Sequence, residues 1–141
     1  ADATLYNAVL LADGNPAFPP TYRYTEPYVA SMQRFRSMDV DTMLTSHYPV
    51  YRGGEIGEFL GESRAYVDRV DQALTQELMG AENGRTLREL IDAQGASLGE
   101  WPSEASSYLC FPFMGHLERM VRHGKVTTGR RDGLAAFTWS G

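Results

Sequence analysis

The chain has only one cysteine and three histidines in 141 residues. A lone Cys110 excludes an internal disulfide and points to a reducing compartment, the cytoplasm, with the thiol expected to be buried and inert. No apolar run approaches the ~18 residues that cross a bilayer, and no charged-then-apolar leader pattern is visible, so a soluble chain without a membrane partner is expected. Paired cysteines at zinc-knot spacing are missing. Gly53-Gly54 with Gly57 does not match a phosphate-cradling loop, and no Ser-His-Asp or Cys-His unit can be recognised. His116 and His123 are two helical turns apart, ~10 Å, too far for one ion.

What is present is an ordinary globular mixture, 43% apolar and 22% charged, enough for one core or two small ones. The net charge of −5 is uneven: residues 1–83 carry 6 basic and 12 acidic side chains, residues 84–141 carry 7 and 6. An acidic first half argues against a general nucleic-acid surface.

The chain is organised around residues 42–79. Residues 42–46 read as a short buried strand. Tyr48, Pro49 and Gly53-Gly54 then break regular structure and leave His47 on a loop, where functional side chains collect. Ile56, Phe59, Leu60, Ser63, Val67, Val70, Leu74 and Leu78 follow at three- and four-residue steps, the apolar stripe of a long helix over residues 55–79. Glu55, Glu58 and Glu62 suit its positive end, and Gly80 is placed to stop it.

Upstream, Asp13-Gly14-Asn15 signals a turn. Residues 16–24, with three prolines and three aromatics, read as an ordered loop without a hydrogen-bond ladder. Its rings either line a cleft or hold the loop down. Thr25 opens a helix whose apolar face is Tyr28, Met32, Phe35 and Met38. Downstream, Thr86 and Glu89 have the reciprocal capping spacing of a shorter helix with Leu87, Leu90 and Ile91 inward. A further helix is expected to end at His123, with Phe113, Leu117, Met120 and Val121 inward, His116 packing and His123 facing the C-terminal dipole. Residues 125–128, a turn over 129–133 and residues 134–139 read as a β-hairpin. Helix, turn, helix, loop, helix, hairpin over residues 67–141 is the order of a winged helix sharing the long helix.

Ser46-His47-Tyr48-Pro49 and Thr86-Leu87-Arg88-Glu89-Leu90, with Ala1-Asp2-Ala3, resemble the C-terminal half of metallo-β-lactamase-fold hydrolases. In that family a Gly-Asp-Ala segment, a Gly-His-Gly-Pro-like turn and a Thr-Leu-x-Glu-Leu-like segment stand in this order. The tail from Gly115-His116-Leu117 through the hairpin is similar to the winged-helix extension of one subgroup. The resemblance implies an α+β fold: an incomplete α/β layer over residues 1–80, then a winged-helix-like domain with a β-hairpin over residues 81–141. It implies Asp2 and His47 as metal ligands, two zinc ions in the parent enzyme (iron or manganese as alternatives), and a metal-activated water attacking an ester, thioester, amide or phosphoester. Phe18, Tyr22 and Tyr48 would border substrate. The family's His-x-His-x-Asp-His motif is absent here. The expectation is therefore a C-terminal fragment, inactive alone, whose partners are the missing N-terminal half, a small-molecule substrate and, through its uncovered edge, a second copy. The alternative is a winged-helix module binding nucleic acid or protein, with Arg119, Arg122, Arg130 and Arg131 as its basic set.

Overall fold

In a computed structural model, residues 3–141 are described. The element that the rest packs against is a 26-residue helix, α2 (Gly54–Met79), about 39 Å long. Its buried face is Ile56, Phe59, Leu60, Ser63, Tyr66, Val67, Val70, Leu74 and Leu78, the expected stripe with Tyr66 added. Gly80 closes it, its N–H bonded to the carbonyl of Gln76.

Before it come a hairpin, β1 (Val9–Leu10) with β2 (Pro16–Phe18), then α1 (Thr25–Arg36), then a second hairpin, β3 (Thr42–Met43) with β4 (Tyr51–Arg52). After it come β5 (Arg85–Thr86), α3 (Leu87–Gln94), two 3₁₀ turns (Gly95–Ser97 and Ser103–Leu109), α4 (Cys110–Arg122), β6 (Val126–Arg131) and β7 (Leu134–Trp139). β5 and β6 flank β7 in a three-stranded antiparallel sheet. A hydrophobic cluster runs from Ala8 to Phe137 through both ends of α2.

Four local expectations need correction. Residues 42–46 do not form a buried strand: only Thr42 and Met43 pair, with Arg52 and Tyr51, and Thr42 is exposed. Each strand of this hairpin is two residues long. Pro16 starts a real strand, tolerated because it is the first residue of an edge. Met38 and Val121 face outward rather than into the core. The final hairpin turn is two residues, not five: Asp132 and Gly133 both take positive φ, 52° and 80°, as a tight turn matched to strand twist requires. Pairing therefore continues to Arg131 and Leu134.

The capping box at α3 is present in full. Thr86 Oγ1 accepts from the Glu89 N–H at 3.3 Å, and Glu89 Oε2 accepts from the Thr86 N–H at 2.8 Å. Arg131 binds the other Glu89 oxygen, tying the hairpin to the helix start. Arg131 first, then the Thr86 N–H, hold the Glu89 carboxyl down to about 2. Thr86→Ala is expected to cost about 1 kcal/mol, read as a lower urea midpoint at unchanged slope.

Candidate functional site

His47 lies on three consecutive bends between β3 and β4. The loop is held by its own side chains. Thr45 Oγ1 accepts from the Tyr48 N–H at 3.1 Å and donates to the Tyr48 carbonyl at 3.0 Å. Tyr48 Oη donates to the Ala8 carbonyl at 2.8 Å, tying the loop to the start of the chain.

Phe59 of α2 supports this loop from below. Its ring stacks on Tyr6 (centroids 5.2 Å apart) and Tyr51 (4.6 Å), and Tyr48 leans on it at 5.0 Å. The His47 ring meets Tyr48 edge-on at 6.4 Å. Aromatic packing of this kind fixes a loop more firmly than backbone alone.

Two depressions flank His47. One, about 240 Å³, is bounded by Ala3, Thr4, Phe35 and Leu44 as well as the loop. The other, about 480 Å³, lies toward the β1–β2 turn at Leu11 and Gly14. Ser46, His47 and Tyr48 line both. The start of the chain is anchored beside them: Thr4 Oγ1 donates to Ser63 Oγ at 3.0 Å, the Leu5 N–H donates to Tyr28 Oη at 2.8 Å, and Asn7 donates to Glu62 at 3.1 Å. Ala3, the residue after Asp2, is thereby brought to the rim of the His47 depression.

The structure brings together His47 and Tyr48. Asp2 lies outside the described residues. Phe18 is half-buried against Tyr108, ring centroids 5.4 Å apart, and lines neither depression. Tyr22 is 5% exposed, stacked on Tyr28 at 4.3 Å, so its phenol serves the core rather than a cleft. Among the described residues no three His, Cys, Asp or Glu side chains gather closely enough to hold a metal ion. His47 offers one imidazole, and a catalytic zinc needs about three protein ligands. The described residues therefore do not make a metal centre by themselves.

A second polar array is not foreshadowed by residue spacing. His116, fully buried on α4, bridges Asp71 of α2 and Tyr22. Asp71 also receives Arg119 at 2.6 Å. The hydrogen bond from His116 does most to lower the Asp71 carboxyl and Arg119 adds to it, while burial opposes. Asp71 is thus an acceptor, which places the proton on His116 Nδ1, donating at 3.0 Å. Nε2 is left to accept from Tyr22 Oη at 3.0 Å. Burial keeps the Tyr22 proton in place by pushing its pKa well up. Phenol, imidazole and carboxylate stand in the order of a nucleophilic relay, but the phenol is sealed. The array joins the 19–24 loop to two helices. Its one signal in the sequence is a histidine in the middle of an apolar stripe, between Phe113 and Leu117, both fully buried.

No family model matches the chain, and no curated protein matches its sequence. The fold does have solved neighbours. A beta-lactamase domain protein from Burkholderia ambifaria superposes with a TM-score of 0.68 at 17% identity, over 90% of this chain and 38% of that one. A metallo-beta-lactamase family protein from Thermus thermophilus gives 0.63 at 16% identity, over 94% and 40%. The chain has the fold of one part of these proteins and spans about two fifths of their length.

Proposed function

We propose that this chain is the C-terminal part of a metal-dependent hydrolase of the metallo-β-lactamase superfamily, with zinc as its metal, and that it is inactive by itself. The observation that supports the reading best is the overlay of 90% of the chain on only 38% of a β-lactamase-domain structure, together with His47 standing between two depressions. Asp2 and His47 are its contribution to the metal ligands. Tyr48 lines the adjoining surface where an ester or thioester substrate would lie.

The surroundings of His47 suit a face that another half covers. Leu44 is 77% exposed in one depression and Leu11 55% exposed in the other. Apolar side chains grouped at a candidate site mark an interface more often than isolated ones do. The missing N-terminal half is the partner proposed for them.

The end of the chain is a winged-helix-like extension in this reading, since β5, α3, α4 and the hairpin follow that order and β7 lies between β5 and β6. Nucleic-acid binding is the weaker reading. Arg119 is held by Asp71, Arg122 by Glu26 at 3.1 Å and Arg131 by Glu89, while Arg130 bonds the Gly133 carbonyl at 2.6 Å. Three of the four charges already have carboxylate partners, so little free positive potential remains for phosphates.

The test is zinc content in a polypeptide that joins the upstream-encoded residues to this chain. His47→Ala should release zinc to a competing chelator at least about 100-fold more easily, because even removing a group that only supports a ligand costs 10–100-fold. Unchanged zinc stoichiometry and affinity in His47→Ala would overturn the proposal.

A further inference from the structure

A third depression, about 430 Å³, opens where α3, the 103–109 turn, α4 and β7 meet. It shares no residue with those around His47. Its volume is in the range of small-molecule sites. Leu87 and Ile91 form one wall, Cys110 and Met114 another, and Phe137 the floor, with Leu134 exposed at the mouth.

The polar groups along it are already engaged. Thr86 Oγ1 serves the α3 cap, and Ser107 Oγ donates to the Glu104 carbonyl at 3.1 Å. Among the described residues one charged side chain lines the groove, Arg88. It is 79% exposed and pairs with Asp92 at 3.3 Å, one helical turn away. Exposed pairs of this type are weak and exchange readily. Arg85, Arg119 and Arg131 are bound more closely, to Glu77, Asp71 and Glu89.

An apolar trough with one guanidinium at its rim, engaged only by the exposed carboxylate of Asp92 on its own helix, suits a ligand with one carboxylate and an apolar tail. We propose that this groove binds an amphipathic carboxylate, a medium-chain acyl or aryl acid, with its tail among Leu87, Ile91, Met114 and Phe137 and its carboxylate on Arg88. The tail gains by leaving water, and the planar fork of Arg88 meets a carboxylate with two parallel bonds. A second copy covering the groove is the competing occupant, and the Leu134→Glu arm of the test below detects it. The proposal does not depend on the hydrolase reading.

The chain carries its own reporter, since its sole thiol, Cys110, is in the wall. Decanoate is the probe, decanol its uncharged control, and alkylation of Cys110 by iodoacetamide the readout, with calorimetric titration of decanoate as a second measurement. Decanoate should slow alkylation at least about tenfold, with a midpoint at micromolar concentration. Arg88→Met, on an exposed position, should weaken the decanoate midpoint about tenfold and leave that of decanol unchanged. Ile91→Trp, which fills the trough, should remove the heat of decanoate binding. The proposal is overturned if decanoate neither protects nor gives binding heat. Equal midpoints for decanoate and decanol in the native chain would overturn it too, as would an alkylation rate that is already low and rises only when Leu134→Glu splits a dimer.

Discussion

Gly115→Ala should lower the melting temperature by roughly 10 °C, corresponding to about 3 kcal/mol in a chain of this size. Helix propensity alone points the other way: alanine in a helix interior is favoured over glycine by up to about 1 kcal/mol. Packing decides the sign. A Cβ on Gly115 would stand 2.3 Å from the Arg23 carbonyl oxygen and 3.0 Å from Thr25 Oγ1. The first contact is with backbone, which cannot rotate away as a side-chain end can. Either α4 shifts outward or the 19–24 segment lifts, and both moves strain the bidentate pair between Arg23 and Glu118, at 2.8 and 2.6 Å, and the seat of Tyr22 on His116. Gly57→Ala is the control. Gly57 is exposed on α2 with open space where its Cβ would go, so the same substitution there should be neutral or raise the melting temperature. If both substitutions raise it, the close approach of α4 to the Arg23 backbone is not a constraint on the fold.

The contrast between these two glycines shows what is legible in the sequence. Elements with a local cause can be read. The α2 stripe follows from eight apolar or small residues at helical spacing. The α3 start follows from Thr86 and Glu89, three apart, and the hairpin from Gly-rich turn chemistry. Even the bends carrying His47 follow from Tyr48-Pro49 and the glycine pair beyond. Features with a remote cause cannot be read. Nothing in Gly115 or its neighbours states that Arg23, 92 positions earlier, comes within contact distance. The composition of residues 42–46 allows a buried strand, but burial depends on a covering layer, which no local pattern specifies. Tyr22 has the look of a cleft residue in an aromatic loop; its partner, His116, is 94 positions away. The candidate site is therefore half legible: the loop and its histidine from local breakers, the depressions on either side only from tertiary packing.

His116→Ala should cost roughly 3 kcal/mol, because it leaves two buried or half-buried polar groups short of a partner and opens a cavity. Tyr22 Oη would lose its acceptor in a sealed position. Asp71 would keep Arg119 but lose the bond that contributes most to its lowered pKa. A milder variant isolates the titration. Burial lowers the His116 pKa below its ordinary 6.5; Asp71 and Asp68 oppose that shift, while Arg119 adds to it. In the unfolded chain the imidazole titrates near 6.5. As pH falls through that value the unfolded state takes up the proton first, so stability declines with acid until folded His116 is protonated as well. The contribution is complete above about pH 6.5 and is lost as pH falls through the lowered folded value. Asp71, also lowered, has the same sign further down: its stabilisation is present above about 3.8 and lost below. His116→Gln retains one donor and one acceptor but cannot charge. Its unfolding free energy, measured by urea titration, should change less between pH 7 and 5 than that of the native chain, while both should fall below pH 4. An unaltered slope between pH 7 and 5 would mean that His116 is not the group whose protonation loosens the junction of α2, α4 and the 19–24 loop.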